Sequence, residues 1–381
     1  MKSSITSIGI FLVLGACVDR LHFDIKKSND YGIAVDGFIS DQPGPYQIRI
    51  NRAFDIESTE TIKTPVTVSH LTLSDNKGTT EELTEIDAGI YETSVTGIRG
   101  QVGRVYTLRI ELTDGKIYES IPDTLLPTGI VDSLYYSYTS LAKSDGATDD
   151  GFDIFFNASR GNGGRRFMWK MTGTFQAETH PERDNLNCYF SDGKCNYAPL
   201  CSGLLNIGSS GFRNLVRVKP CECCTCWYKI FNTKPELSDE RLNSSGNYSN
   251  IRLYRIPVTP WIFAHKIHVQ VSQISLTNNS FRFWKAIRDQ RNAIGSIFQP
   301  VTGKIPVNFV QLNGSGPPIL GLFYATSISS SKPMYITRDN VPHPESLPTL
   351  DYLANTYQIG FISCLNAFPN ATNVKPAFWS D

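Results

Sequence analysis

The sequence predicts a mainly β chain: an N-terminal immunoglobulin- or transthyretin-like β-sandwich followed by a larger β-rich domain with one helix and a cysteine-rich loop. Three observations carry this expectation. Short segments in which apolar and polar residues alternate recur between turn residues, the pattern of half-buried strands. Aromatic residues are plentiful (17 Tyr, 21 Phe), and Gly (29) and Pro (21) punctuate the whole chain, a composition that suits strands and turns better than helices. Seven of the nine cysteines fall between Cys188 and Cys226, a density that interrupts the strand pattern.

The chain opens with Met1 and Lys2, an apolar run over residues 8–14, and Leu14-Gly15-Ala16-Cys17. The run is far short of the ~20 residues a membrane-spanning helix needs. Residues 1–16 are therefore predicted to be an export signal. Their ending resembles the lipobox of bacterial lipoproteins, which implies that Cys17 is acylated and heads the mature chain; a plain secretory leader is the alternative. Two or more acyl chains hold a protein stably on a membrane. Residues 17–30 carry Asp19, Arg20, Asp24, Lys26, Lys27 and Asp30 and read as a solvated tether.

Residues 31–127 are expected to form the sandwich. Residues 32–39 read as a strand, Asp41-Gln42-Pro43-Gly44 as a turn, and residues 46–50 as the strand pairing back in a hairpin. Residues 66–73, 89–93, 105–112 and 117–120 alternate as further strands. Two prolines and a glycine within residues 122–129 mark the boundary.

In the second domain, residues 128–381, residues 152–156 and 166–171 flank Arg160-Gly161-Asn162-Gly163-Gly164-Arg165 and read as a hairpin with a basic tip. Residues 181–249 break the alternation and are read as an insertion. Residues 250–256 and 266–274 resume it. Phe281, Trp284, Ile287 and Arg288 then recur at helical spacing up to about Ala293, with Asn278, Asn279 or Ser280 as caps. Phe281, Trp284 and Ile287 are expected to face the core. Residues 319–326 are almost continuously apolar, as in a buried strand.

With Cys17 set aside, eight cysteines remain: Cys188, Cys195, Cys201, Cys221, Cys223, Cys224, Cys226 and Cys364. In an oxidising, exported setting an even set reads as disulfides. The four within residues 221–226 are expected to pair outward with Cys188, Cys195, Cys201 and Cys364, although eight cysteines allow about a hundred pairings. Zinc is the competing use, but the two Cys-x-x-Cys spacings interleave, which suits one tetrahedral site poorly.

Lys plus Arg and Asp plus Glu balance at 36 each, so the chain lacks the basic excess of a nucleic-acid binder. No Gly-x-Ser-x-Gly, His-Glu-x-x-His or phosphate-cradling glycine loop is present. His265 and His268 would face opposite sides of a strand and are read as partly exposed. Asp149 and Asp150 are adjacent carboxylates without a cleft. Asp123-Thr124-Leu125 and Asp132-Ser133-Leu134 look like short acceptor motifs for bacterial O-linked glycosylation. No catalytic residue, cofactor or metal is expected.

Val35-Asp36-Gly37, Asp41-Gln42-Pro43-Gly44-Pro45-Tyr46, Gly89-Ile90-Tyr91, Gly103-Arg104-Val105-Tyr106, Asp114-Gly115-Lys116-Ile117-Tyr118 and Asp132-Ser133-Leu134-Tyr135 resemble the signature of domain-of-unknown-function family 4249. So do the Cys-Cys-x-Cys-Trp run ending at Trp227, Gly321-Leu322-Phe323 and Pro376-Ala377-Phe378-Trp379. Many members carry a paired Cys-x-x-Cys before the tail, where only Cys364 stands here. The resemblance implies a Gram-negative lipoprotein encoded beside a TonB-dependent outer-membrane receptor. The expected function is a non-enzymatic accessory subunit of that transporter, capturing or gating its substrate. Its expected place is the outer membrane at the cell surface, held by its lipid. A structural or adhesive surface protein is the alternative.

Overall fold

Period-two burial builds the N-terminal unit of the computed structural model, which describes residues 32–380 apart from 53–64, 145, 147, 162–163, 182–188, 192–193, 197–198, 209–213, 239–245, 294–304, 317 and 349–361. The predicted leader, Cys17 and the tether lie outside the described residues. The strands are β1 (Ile33–Ser40), β2 (Gln47–Arg52), β3 (Val68–Asp75), β4 (Thr80–Glu82), β5 (Thr84–Asp87), β6 (Ile90–Glu92), β7 (Val105–Leu112), β8 (Ile117–Ser120) and β9 (Asp123–Thr124). In β7, Tyr106, Leu108, Ile110 and Leu112 are buried and the residues between them half-buried, because successive side chains leave a strand on opposite faces. β1 and β2 form the expected hairpin, with Ile33 opposite Arg52 and Gly37 opposite Ile48.

The second unit follows: β10 (Ile130–Ala142), β11 (Thr148–Ser159), β12 (Phe167–Glu178), β13 (Tyr189–Ser191), β14 (Lys194–Asn196), β15 (Leu204–Asn206), β16 (Leu215–Arg217), β17 (Thr225–Phe231), β18 (Glu236–Leu237), β19 (Asn247–Pro257) and β20 (Lys266–Ser275). The chain closes with α1 (Asn278–Ala293), β21 (Phe309–Gln311), β22 (Ile319–Thr326), β23 (Ile328–Ser330) and β24 (Met334–Thr337), then a single helical turn at Cys364–Ala367. One sheet runs β10-β11-β19; the facing sheet runs β17-β12-β20, with β23 and β24 beside β20. Between them Trp169 lies 5.1 Å from the Phe156 ring and 4.8 Å from Tyr248. Its buried indole N–H donates to Gln273 Oε1 at 2.9 Å, which offsets the cost of taking a polar group out of water.

The chain is mainly β, as its composition predicts, but three local expectations change. Residues 152–156 and 166–171 are not a hairpin: β11 and β12 belong to opposite sheets. The Gly- and Arg-rich connection is long enough to cross between layers, and both strands are apolar enough to be covered on each face. The cysteine-rich insertion is shorter than 181–249, because β17 pairs along β12 from Thr225–Glu178 to Phe231–Thr172. The unit beginning at Tyr31 also does not end with residue 127. β22 returns to lie parallel to β1, with Ile33 opposite Ile319 and Ser40 opposite Thr326, and β21 pairs with β8.

The two sheets of the first unit are therefore β22-β1-β2-β6-β5 and β21-β8-β7-β3-β4. From Leu322 onward β22 is buried on both faces. Ile319, Phe323 and Ala325 join the first sandwich core, whereas Leu322 and Tyr324 join a separate cluster with α1. Gly321 has φ +117°, and a Cβ there would stand 1.9 Å from the Val35 carbonyl oxygen. Only glycine lets the returning strand approach β1 this closely.

The predicted helix forms, capped one residue earlier than expected. The Thr277 carbonyl accepts the Phe281 N–H at 3.0 Å, and its hydroxyl accepts the Ser280 N–H at 3.5 Å. Phe281 and Phe283 are buried, with Trp284 and Ile287 half-buried. They pack against Met168 and Ile274 of the second sandwich and Leu322 and Tyr324 of the first. α1 is thus the wedge between the two sandwiches.

Candidate functional site

The wedge is held by a buried carboxylate. Asp123, on β9 in the boundary segment, is 4 % exposed. It accepts from the Thr277 hydroxyl at 2.5 Å, the Ser280 hydroxyl at 3.2 Å and the Ala325 N–H at 3.0 Å. One side chain thereby ties the boundary, the start of α1 and the returning strand β22. Burial raises its pKa despite these donors.

Beside the wedge lies a cavity of about 510 Å³ between α1 and the outer face of β1, β2 and β22, lined by Val35, Phe283, Trp284, Ile287, Ile305 and Leu322 among others. Its polar rim is Asp36 and Arg49, 3.8 Å apart and both well exposed. A second cavity of about 280 Å³ shares Trp284 and Ile287 as a wall and reaches β12 and the loop after β17. That wall also carries the Lys170 ammonium, 5.6 Å from the centre of the Trp284 ring. Lys170 is exposed, and the protein packed around it lowers its pKa by desolvation, opposed by the Asp36 charge. A concave surface produces this combination. Tyr324, packed behind Trp284, has its phenol pushed above its ordinary value by burial and then by the Asp36 and Asp123 charges.

The remaining candidates from the sequence are structural. Asp149 stands 3.8 Å from Arg255, and the Asp150 pKa is lowered chiefly by the Ser140 hydroxyl. Neither forms a carboxylate pair over a cleft. The two histidines depart from the expectation that both are partly exposed. His268 is 4 % exposed and stacks 4.2 Å from Phe378, because the C-terminal tail covers β20. His265 is half-open and lies 3.0 Å from Glu178 Oε1.

The His265–Glu178 contact raises the histidine pKa and lowers the carboxylate pKa. The histidine contribution is present below its ordinary 6.5 and lost as pH rises through the raised value. The glutamate contribution is present above its ordinary 4.5 and lost as pH falls through the lowered value. The pair is therefore most favourable between those two ordinary values, and solvent screening keeps it under about 1 kcal/mol. In an NMR titration His265 is expected to have a midpoint above 6.5, and Glu178→Gln to return it toward that value.

Cysteine pairing differs from the expected outward pattern. Cys221 and Cys224 bridge each other within the cluster, with Cα atoms 5.6 Å apart; a turn of this span brings two thiols to bonding range. Only Cys223 and Cys226 reach outward, to Cys201 and Cys364. Cys188 and the side chain of Cys195 lie outside the described residues. The six described cysteines are all disulfide-bonded, so none offers a thiolate to zinc. Among the described residues, no group of three or more His, Cys, Asp or Glu is placed to hold a metal ion. No described helix is long and apolar enough to cross a membrane.

The stapled loop presents a two-stranded ribbon, β15 and β16, with Leu205 opposite Val216. Ile207 and Val218 lie two residues farther on and share that face. All four are exposed, from 40 to 63 %. Sequence reading missed both this face and the junction cavity. The only sign of the first was alternating Leu, Ile and Val among the cysteines.

Comparison with curated proteins finds no match. The family model described as Domain of unknown function (DUF4249) matches residues 18–332, which span the first sandwich, the stapled loop, the wedge and all of the second sandwich but β24, and the chain belongs to that family.

Proposed function

We propose that the protein is a non-enzymatic, outer-membrane lipoprotein, anchored through Cys17, that serves a TonB-dependent receptor as an accessory subunit for substrate capture. The observation that carries this reading is the apolar cavity between α1 and the outer face of the first sandwich, since concave, largely apolar sites are where small ligands bind. The leader and Cys17 support the lipid anchor. The ribbon face supports docking to a partner: contiguous apolar surface on a water-exposed element marks interaction sites, and disulfides hold this ribbon where a free hairpin would be marginal.

Purification of the tagged full-length chain from detergent-solubilised membranes tests the partnership. A receptor is expected to co-purify with the unaltered chain. Val216→Glu, which places a charge in the centre of the ribbon face, is expected to reduce the recovered receptor about tenfold, equivalent to ~1.4 kcal/mol, with the thermal midpoint unchanged. Equal recovery with the variant would remove the ribbon as the docking surface.

A further inference from the structure

We infer that the two cavities along α1 form one binding site for an amphipathic organic anion, its apolar body in the larger cavity and its carboxylate or phosphate-like head at Lys170. Three independent observations meet at Trp284. The larger cavity is walled mainly by apolar side chains, and its volume of about 510 Å³ suits a small organic molecule. The adjoining cavity is lined by Lys170, Lys234 and Arg291 and by no carboxylate. The shared wall is the Trp284 ring, and the Lys170 ammonium lies 5.6 Å from its centre, so the cationic lining adjoins the apolar one.

An anionic oxygen placed among Lys170, Lys234 and Arg291 would accept charge-assisted hydrogen bonds from cationic groups whose cavity no carboxylate lines. A neutral apolar ligand would bring no counter-charge to that cationic lining, and a small inorganic anion would leave the larger cavity without an apolar occupant. An amphipathic anion satisfies all three features together. This assignment gives the substrate-capture reading a ligand class. It rests on that reading only for where the ligand goes next, because binding by the purified chain is measured without a receptor.

Calorimetric titration of the purified full-length protein with decanoate, decan-1-ol and inorganic phosphate tests the site. Decanoate, kept below its micellar concentration, is expected to bind saturably at one site, decan-1-ol more weakly, and phosphate not measurably. Lys170→Met, which keeps the apolar volume, is expected to weaken decanoate about tenfold while leaving decan-1-ol unchanged. Ile287→Trp, which fills the shared wall, is expected to abolish both, with circular dichroism confirming the fold. Equal affinity for decanoate and decan-1-ol, or decanoate binding indifferent to Lys170→Met, would overturn the anionic head. Phosphate binding as tightly as decanoate would overturn the amphipathic class, and absence of binding by all three would overturn the site. A receptor that fails to co-purify, with decanoate bound as expected, would count against the partnership alone.

Discussion

Replacing Cys226 and Cys364 together by alanine is expected to lower the unfolding free energy by about 4 kcal/mol in urea titration. The bridge closes a loop 138 residues long, for which chain-entropy restriction of the unfolded state gives ~5 kcal/mol, and engineered losses run somewhat below the ideal. The bridge also seats the tail. Trp227 and Thr372 exchange two backbone hydrogen bonds, at 2.8 and 3.1 Å, and Phe368 packs among Phe175, Tyr228 and Trp261. The contrasting variant lacks Cys221 and Cys224, whose separation is 3; its loss is expected to be only ~1.5 kcal/mol by the same argument. Equal losses from the two variants would show that chain restriction is not the cause.

Asp123→Ala is expected to cost about 3 kcal/mol. It strips an acceptor from two hydroxyls and from the Ala325 N–H. The hydroxyls can reorient, but the buried N–H cannot, and an unsatisfied buried donor costs ~1–3 kcal/mol; loss of the charge-assisted bonds at the start of α1 adds to this. The variant should also change the pH dependence. Burial raises the Asp123 pKa above its ordinary 3.8, so the folded chain binds the proton more tightly than the unfolded one. This group's contribution therefore falls as pH rises from 3.8 through the raised value. Urea titrations from pH 3 to 7 are expected to show that slope in the parent chain and its absence in the alanine variant.

Much of the fold was legible because burial on a strand follows a period of two. Residues 105–112 and 46–50 show their inward faces directly in the sequence, and Phe281, Trp284 and Ile287 mark the packed side of α1. Long-range pairing was not legible. Residues 319–326 announce a strand covered on both faces, but nothing local states that β1 is the neighbour, since parallel pairing leaves no turn signature. The same limit explains the false hairpin between β11 and β12, where a glycine-rich connection crosses sheets as readily as it reverses one. The eight cysteines could be counted, but their partners depend on how β17 and the tail are placed. The junction cavity was invisible because its walls come from β1, β2, α1 and β22, far apart in the chain, each with an ordinary apolar pattern. Asp123 was noticed only within a three-residue modification motif, and its burial follows from the arrival of β22 and α1 around it.

The proposed role in receptor-dependent nutrient uptake has a direct test. The most direct measurement compares a strain lacking the chain with its parent for growth on a panel of defined nutrients and for surface adhesion. Slowed uptake of one nutrient class, restored by the full-length chain and not by a Cys17→Ala chain, with adhesion unchanged, is the predicted result. Unaltered uptake across the panel with adhesion lost would contradict it and leave the sandwiches as a surface spacer.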